Sequence, residues 1–197
     1  MIRIGVIGGI GSGKSFIAKL FNFPVFNADK EVNFLYKNSR ECFKKLNKKI
    51  PNFVDKFPIS KKQLIKAINH DKKNLKKISS VVHPLIRKKM KFFLEKNKKK
   101  KIVILDIPLL IENKLYNNKD ILLFVRSSQK KIIYRLKKRK NYNKKILIKL
   151  KENQINLLKK KRLANYIVDN NFSPNIMKKK IKTLKYKILN ERNSTRY

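Results

Sequence analysis

The chain has 197 residues, with 53 Lys or Arg against 12 Asp or Glu, so its formal net charge at pH 7 is +41. This length suits one domain with a sizeable core, and the absence of any apolar stretch of about 18 residues argues against a transmembrane helix. A lone cysteine, Cys42, excludes an internal disulfide and favours a reducing compartment. Because the first residues already fit a strand, we expect no signal peptide and a cytoplasmic protein.

The positive charge is spread along the whole chain rather than gathered into one stripe. A nucleic-acid partner is one interpretation of such a charge. However, Lys, Asn and Ile are all abundant, and AT-rich codons encode these three residues. Biased nucleotide composition, as in a reduced bacterial genome, therefore explains the charge, and we expect no specific nucleic-acid partner.

The first elements are an apolar run at residues 2–7, which predicts a buried strand, and a glycine-rich stretch at residues 8–15. This stretch fits G-x-x-x-x-G-K-[ST], and a predicted helix follows it. In a strand–loop–helix unit of this kind, the backbone N–H groups of the glycine loop surround phosphate oxygens. The alternative is a glycine-rich turn that packs against a sheet. In the phosphate loop, Lys14 would reach the β- and γ-phosphates and Ser15 would hold Mg²⁺. The expected nucleotide-binding residues are Gly9, Ile10, Gly11, Ser12, Gly13, Lys14, Ser15 and Phe16.

A second short strand is predicted at residues 24–27, and Asp29 follows it. Ligands of open α/β folds gather at the carboxyl ends of strands. A carboxylate there could accept the proton of an attacking hydroxyl or help to bind Mg²⁺ through water. Equally, Asp29 could cap the helix that is predicted next. Both interpretations stay open on position alone.

Residues 30–98 carry helical patterns and are too long for a plain βα crossover, which predicts a helical insertion. Ser60 and Gln63 fit a capping box at the start of one helix. The helical period continues to His83, and Pro84 is expected to separate that helix from the next. His83 has no Cys or His at ligand spacing, which favours packing or a substrate contact over a metal site.

Two apolar runs, residues 102–105 and 121–125, predict central parallel strands. Asp106 ends the first run, where P-loop enzymes place the acidic residue that positions Mg²⁺. The alternative is a turn-forming aspartate before Pro108. A strand at residues 166–169 and a final helix complete a parallel α/β core.

A basic helical segment is predicted at about residues 127–162. Ser127 or Ser128 could cap its first helix. Arg135 and Arg139 share a helix face at i, i+4 and are similar to the cationic lids that close over transferring phosphates. The alternative is an exposed basic face.

Taken together, these motifs resemble the dephospho-CoA kinase family over nearly the whole chain. The P-loop alone would indicate only a superfamily, whereas the order and spacing of the later motifs are much more specific. Besides residues 8–15, the motifs are Asn27-Ala28-Asp29 (Asp-Ala-Asp in the family), His83-Pro84-Leu85-Ile86, residues 106–112, Arg135 with Arg139, Gln154, and residues 164–170.

The resemblance implies a P-loop NTPase fold: a parallel β-sheet core flanked by helices, with a helical CoA-binding insertion and a helical lid. It implies one kinase domain over residues 1–197, with the core at about 1–29, 99–126 and 163–197, the insertion at about 30–98 and the lid at about 127–162. The implied activity is transfer of the ATP γ-phosphoryl group to the ribose 3′-hydroxyl of dephospho-CoA with Mg²⁺, the last step of coenzyme A biosynthesis. We expect a monomer or weak homo-oligomer.

The implied residue roles follow the matched motifs. Asp29 matches the family's general base, with Lys14, Arg135 and Arg139 as the other catalytic residues. Ser15 and Asp106 are the expected metal ligands. The acceptor site is expected to contain Asp29, His83, Arg87, Pro108, Leu109, Leu110 and Glu112.

The chain departs from the family pattern on the acceptor side. Asn33 and Lys61 stand where arginines are usual, and lysine lacks the bidentate fork for phosphate. The other departures are Asn27, Phe16 and Asn165. Since the candidate catalytic residues are kept, we expect an active enzyme. The alternatives are another small-molecule kinase of the nucleoside-monophosphate type and, from a different class, a basic nucleic-acid-binding protein, which would leave the P-loop unexplained.

Overall fold

The computed structural model describes residues 1–138 and 154–194, without the side chains of residues 192–194. Arg139 and the adjoining part of the predicted lid lie outside this description. The chain divides into two compact units, one comprising Met1–Phe26 with Lys99–Tyr197 and the other comprising Asn27–Lys98. The first contains the sheet, and the second is helical.

Five strands form one sheet in the order β2-β3-β1-β4-β5. Parallel pairing joins β1 to both β3 and β4, and β4 to β5, as the apolar runs predicted. In the register, Ile4 lies opposite Ile104 on one side and Ile121 on the other. The strands are β1 Ile2–Ile7, β2 Val25–Asn27, β3 Ile102–Asp106, β4 Ile121–Arg126 and β5 Tyr166–Asp169.

Helices flank the sheet in the first unit and build the second. In the described part of the chain, no helix is long and apolar enough to cross a membrane. The helices are α1 Lys14–Leu20, α2 Ala28–Asn38, α3 Arg40–Lys49, α4 Lys61–His70, α5 Lys73–Lys96, α6 Gln129–Lys137, α7 Leu157–Arg162 and α8 Pro174–Ser194.

The core of the first unit lies between the sheet and its covering helices. Every residue of β3 is buried, which explains why this strand has a continuous apolar run instead of alternation. From the helices, Ile17 of α1 and Met177 and Ile181 of α8 are buried in the same cluster. This packing fixes the carboxyl end of β1, from which the glycine loop departs.

The second unit packs α2, α3 and α4 against the long helix α5. The capping box predicted at Ser60 and Gln63 is confirmed. The predicted break at Pro84 is wrong, because α5 continues through that proline. Pro84 removes one backbone hydrogen bond, but Val82 before it and Leu85 after it are both buried. Burial of apolar side chains on both sides of the proline stabilises the continuous helix.

Candidate active site

The loop between β1 and α1 depends on glycines for both backbone conformation and space. Gly11 and Gly13 have φ angles of 80° and 90°, a region that side chains rarely adopt. A Cβ on Gly13 would lie 2.3 Å from Nδ2 of Asn170, and one on Gly11 would lie 2.9 Å from Cγ2 of Ile132. Any larger residue at these two positions would therefore force the side chains of Asn170 and Ile132 to move.

Two side chains from distant segments hold the loop at the backbone carbonyl of Ser12. Ser127 Oγ donates to that oxygen at 2.8 Å, and Asn170 Nδ2 donates to it at 2.9 Å. Asn170 is buried, and its backbone N–H donates to the Arg126 carbonyl. The residues that follow β4 and β5 thereby fix the loop.

These contacts decide which of Ser127 and Ser128 caps α6, a choice that the sequence left open. Ser128 caps α6, because its Oγ accepts from the N–H of Lys131, whereas Ser127 binds the loop. The loop contact of Asn170 was not predicted. Its position directly after β5 could have indicated this contact, because ligands of parallel sheets bind at the carboxyl ends of the strands.

Lys14 lies over the loop that precedes it. Its Nζ donates to the carbonyl oxygens of Gly8 and Gly9 at 3.1 and 2.8 Å, which keeps a cation at the phosphate loop. Ser15 is exposed in the first turn of α1. The N-cap residue of this helix is Gly13, which has no side chain of its own, and a helix start of this kind can receive a phosphate group.

Asp106 is the last residue of β3 and is buried. Because Gly5 of β1 pairs with Leu105, Asp106 lies at the same sheet edge as the loop. The hydroxyl of Ser15 and the carboxylate of Asp106 are hard oxygen donors of the kind that Mg²⁺ prefers. Among residues 1–138 and 154–194, no group of three or more His, Cys, Asp or Glu could hold a metal alone. The donor set therefore fits an ion that also takes phosphate and water oxygens.

One cavity lies beside the loop, and another lies at the carboxyl ends of β4 and β5. The first has a volume of about 350 Å³ and contains Gly9, Ile10, Gln129 and Gln154 in its wall. The second has a volume of about 610 Å³. Its lining residues are Arg126, Ser127, Ser128, Gln129, Lys131, Asp169, Asn170, Asn171 and Lys180.

A paired carboxylate lies in the wall of the larger cavity. Arg126 binds Asp169 with two hydrogen bonds, one of them from Nη2 to Oδ2 at 2.7 Å. This bidentate contact holds the pKa of the Asp169 carboxyl below its ordinary value. The carboxylate is therefore ionised at neutral pH and partly neutralised by the guanidinium.

Glu112 forms an internal ion pair in the turn that follows β3. Its Oε1 accepts from Lys160 Nζ at 2.6 Å and from the N–H of Ile155 at 3.0 Å. The side chain of Lys160 is 2% exposed and that of Glu112 is 11% exposed. Lys160 was not predicted, because a run of lysines gives no sign of which one is buried. This pair connects the turn to α7.

The neighbouring residues of the same turn differ in exposure. Leu110 is buried against the sheet, where a Cβ on Gly5 would lie 2.4 Å from its Cδ2. Pro108 and Leu109 are partly exposed. Leu110 therefore packs in the interior. The acceptor roles of Pro108, Leu109 and Leu110 stay predictions.

In the helical unit, Asn27 caps α2, with its Oδ1 accepting from the N–H of Lys30 at 2.9 Å. The capping interpretation of Asp29 is therefore wrong. Asp29 is exposed in the first turn of that helix. A carboxylate at this position also interacts favourably with the helix dipole.

His83 and Arg87 are exposed one turn apart on α5. Partial desolvation of the ring, and then the positive charge of Arg87, lower the pKa of His83 from its ordinary value. The ring is therefore neutral at neutral pH.

Cys42 is buried in α3, and burial together with the Glu41 charge raises the pKa of its thiol to about 11, which excludes a reactive thiolate.

Of the two predicted lid arginines, Arg135 is described and Arg139 lies in the segment outside the description. Arg135 is exposed on α6, and its guanidinium carbon lies 4.3 Å from the ring centre of Phe172. The structure thereby places Arg135 next to the loop that follows β5.

The parallel sheet, the glycine loop and the residues gathered around it define a P-loop kinase fold. A shikimate kinase from Bacteroides thetaiotaomicron has this fold with a TM-score of 0.53 at 13% identity, over 95% of this chain and 98% of that one. The Thermus thermophilus protein TT1252 gives a TM-score of 0.74 at 24% identity, over 93% and 95% of the two chains. At these identities the likeness supports the fold alone.

The family model for dephospho-CoA kinase matches residues 2–175. The dephospho-CoA kinase of Wolbachia pipientis wMel is 32% identical over 186 residues, which cover 92% of this chain and 95% of the relative. That of Prochlorococcus marinus subsp. pastoris is 33% identical over 191 residues, or 92% and 94%. The chain therefore belongs to the dephospho-CoA kinase family.

Proposed function

We propose that this protein transfers the γ-phosphoryl group of ATP to the ribose 3′-hydroxyl of dephospho-CoA, giving coenzyme A and ADP. The observation that carries this proposal is the family match over residues 2–175, which includes a complete phosphate loop. The mechanism is in-line transfer that relies on positioning and charge stabilisation.

On the donor side, the loop amides and Lys14 bind the phosphates. The contacts of Lys14 with two loop carbonyls support this role, because they hold its charge at the loop. Ser15 and Asp106 would hold Mg²⁺, which supplies charge neutralisation on the phosphate oxygens. Arg135 and Arg139 stabilise the charge of the transferred group.

On the acceptor side, Asp29 accepts the proton of the attacking hydroxyl. Its support is the match of Ala28 and Asp29 to the family motif, from which Asn27 departs, and the exposure of the Asp29 carboxylate, with Asn27 performing the capping. His83 and Arg87 bind the acceptor together with Pro108, Leu109, Leu110 and Glu112. The neutral ring of His83 would contact the substrate by hydrogen bonding rather than by charge.

The test is phosphorylation of dephospho-CoA by the purified protein with ATP and Mg²⁺, followed as coenzyme A formation by mass spectrometry. AMP and nucleosides serve as competing acceptors. Preference for dephospho-CoA supports the proposal. Preference for AMP would instead support a kinase of the nucleoside-monophosphate type, and RNA binding without any phosphoryl transfer would support a nucleic-acid-binding protein.

We further propose that the enzyme works in the cytoplasm as a monomer or weak homo-oligomer. A single buried cysteine suits the reducing conditions of that compartment. Light scattering over a range of protein concentrations tests the oligomeric part, and a mass that stays at a dimer or higher on dilution would contradict it.

A further inference from the structure

Phe172 adopts a backbone conformation that is unfavourable for its residue type. It lies between β5 and α8 with a φ angle of 67°, in the left-handed region where a bulky side chain is a rare outlier. Its backbone N–H donates to Oδ1 of Asn170 at 2.9 Å. Outliers of this kind persist when the surrounding structure holds them, and they cluster at functional sites.

The ring of Phe172 contacts the phosphate loop on one edge. Its Cε1 lies 2.9 Å from the position that a Cβ on Gly13 would occupy. Gly13 directly precedes Lys14, so the ring is adjacent to the part of the loop where phosphates bind. A glycine at position 172 would satisfy the backbone without strain but would leave this space without a ring.

The face of the same ring carries Arg135, with 4.3 Å between the guanidinium carbon and the ring centre. A guanidinium within about 6 Å of an aromatic ring centre is attracted by the ring quadrupole. In the part of the chain that the structure describes, no carboxylate forms an ion pair with Arg135, whereas Arg126 is paired with Asp169. Arg135 thus has a cation–π contact with Phe172 where Arg126 has an ion pair.

We propose that Phe172 is a positioning residue that holds Arg135 beside the phosphate loop, ready to stabilise charge on the transferred phosphoryl group. An unrestrained arginine would lose much rotamer freedom each time it reached the transition state. A preorganised donor avoids that cost during the reaction. This inference rests on the proposed kinase function, and it adds a residue that acts through Arg135 without touching the substrate.

Three substitutions separate orientation of Arg135 from simple packing. Phe172→Tyr keeps the ring, Phe172→Leu keeps apolar bulk without a π face, and Phe172→Gly removes both the ring and the backbone strain. We expect Phe172→Tyr to retain most of kcat. We expect Phe172→Leu and Phe172→Gly to lower kcat roughly 2- to 5-fold, the range of a cation–π contact at an exposed site, with the KM for dephospho-CoA unchanged. Phe92→Leu, at an exposed phenylalanine of α5, is the matched control.

A double-variant cycle tests whether the effect passes through Arg135. In an Arg135→Ala background, Phe172→Leu should lower kcat no further, because the contact is already absent. Losses that multiply would overturn the proposal, as would equal kcat values for the Tyr and Leu variants. A structural role alone predicts that Phe172→Gly, with its strain removed, is at least as active as the wild type.

An NMR measurement tests the contact independently of any acceptor. The Arg135 Nε–Hε signal, assigned with Arg135→Lys, should show an upfield ring-current shift in the full-length protein. This shift should persist in Phe172→Tyr and disappear in Phe172→Leu; a shift that is absent from the wild type would overturn the contact. A wild type that shows the shift but does not phosphorylate dephospho-CoA would refute the proposed function and the positioning role, and would leave the contact standing.

Discussion

The phosphate loop between β1 and α1 and the helical unit hold their candidate functional groups in different ways. At the loop, the Ser12 carbonyl accepts hydrogen bonds from Ser127 and from the buried Asn170, so the geometry depends on interior contacts. In the helical unit, Asp29 and His83 are exposed on helices that fold through caps and apolar packing. Substitutions at the loop should therefore affect stability and activity together, whereas those in the helical unit should separate the two.

One ion pair of the sheet unit and one of the helical unit differ strongly in burial. Glu112 and Lys160 are almost completely buried, and removing one partner would leave an uncompensated charge in the interior. Glu41 and Lys45 of the helical unit pair at 2.5 Å with more than half of each side chain exposed. Exposed pairs contribute little to stability because water screens them.

The largest effect is expected for Asp29→Ala. This variant tests whether activity can be lost in the helical unit without a loss of stability. Loss of a general base lowers kcat by roughly 10²- to 10⁴-fold, while the KM for ATP and the melting temperature change little. Coupled ADP-release kinetics and thermal unfolding measure the two quantities. Glu95→Ala, at an exposed acidic residue of α5, is the control and should retain wild-type kcat. Unchanged turnover in Asp29→Ala would remove Asp29 from the base role.

Lys160→Met tests the burial difference between the two ion pairs. We expect a loss of about 3–5 kcal/mol in the free energy of unfolding, because Glu112 keeps its burial and loses its counter-charge. Lys45→Met should lose far less stability, because water screens this exposed pair. Urea unfolding measures both variants.

The double variant Lys160→Met with Glu112→Gln identifies the cause of that loss. Glutamine still accepts from the N–H of Ile155 but carries no charge, so most of the lost stability should return. If the double variant were as unstable as Lys160→Met alone, lost packing rather than the unpaired carboxylate would explain the effect.

Asn170→Ala tests the coupling of stability and activity at the loop. Removing the buried amide leaves the N–H of Phe172 without its acceptor and takes one of two donors from Ser12. We expect a loss of roughly 1–3 kcal/mol in unfolding free energy, together with a higher KM for ATP. The control Asn118→Ala changes an exposed residue and should stay within about 0.5 kcal/mol. A destabilised variant with unchanged KM would break the proposed link between loop support and nucleotide binding.

Local patterns predicted the sheet and the loop because their causes are local. A strand buried on both faces requires an unbroken apolar run, which residues 102–105 display. The loop requires glycines where φ is positive, which Gly11 and Gly13 satisfy. The break predicted at Pro84 failed for the opposite reason: tertiary burial of Val82 and Leu85 outweighed a local backbone rule.

The supports of the candidate site were not predictable, because each joins residues far apart in the chain. Ser127 and Asn170 are 115 and 158 positions from Ser12, the residue they bind. Lys160 adjoins two further basic residues on α7, and its sequence context does not distinguish the buried lysine from the exposed ones. Motifs predicted the candidate functional residues, but they gave no information on which contacts orient them.

The smallest expected effect concerns the charge state of His83 in the helical unit. Its pKa lies below the ordinary value of 6.5 because of desolvation first and the Arg87 charge second. Since the fold favours the neutral ring, the small stability contribution is complete above the ordinary pKa and is lost as pH falls through the folded value. Arg87→Gln should raise the pKa only part of the way, because desolvation remains, and Lys88→Gln should leave it unchanged. NMR titration of the ring, assigned with His83→Asn, measures this, and a full return to 6.5 in Arg87→Gln would show that charge alone causes the shift.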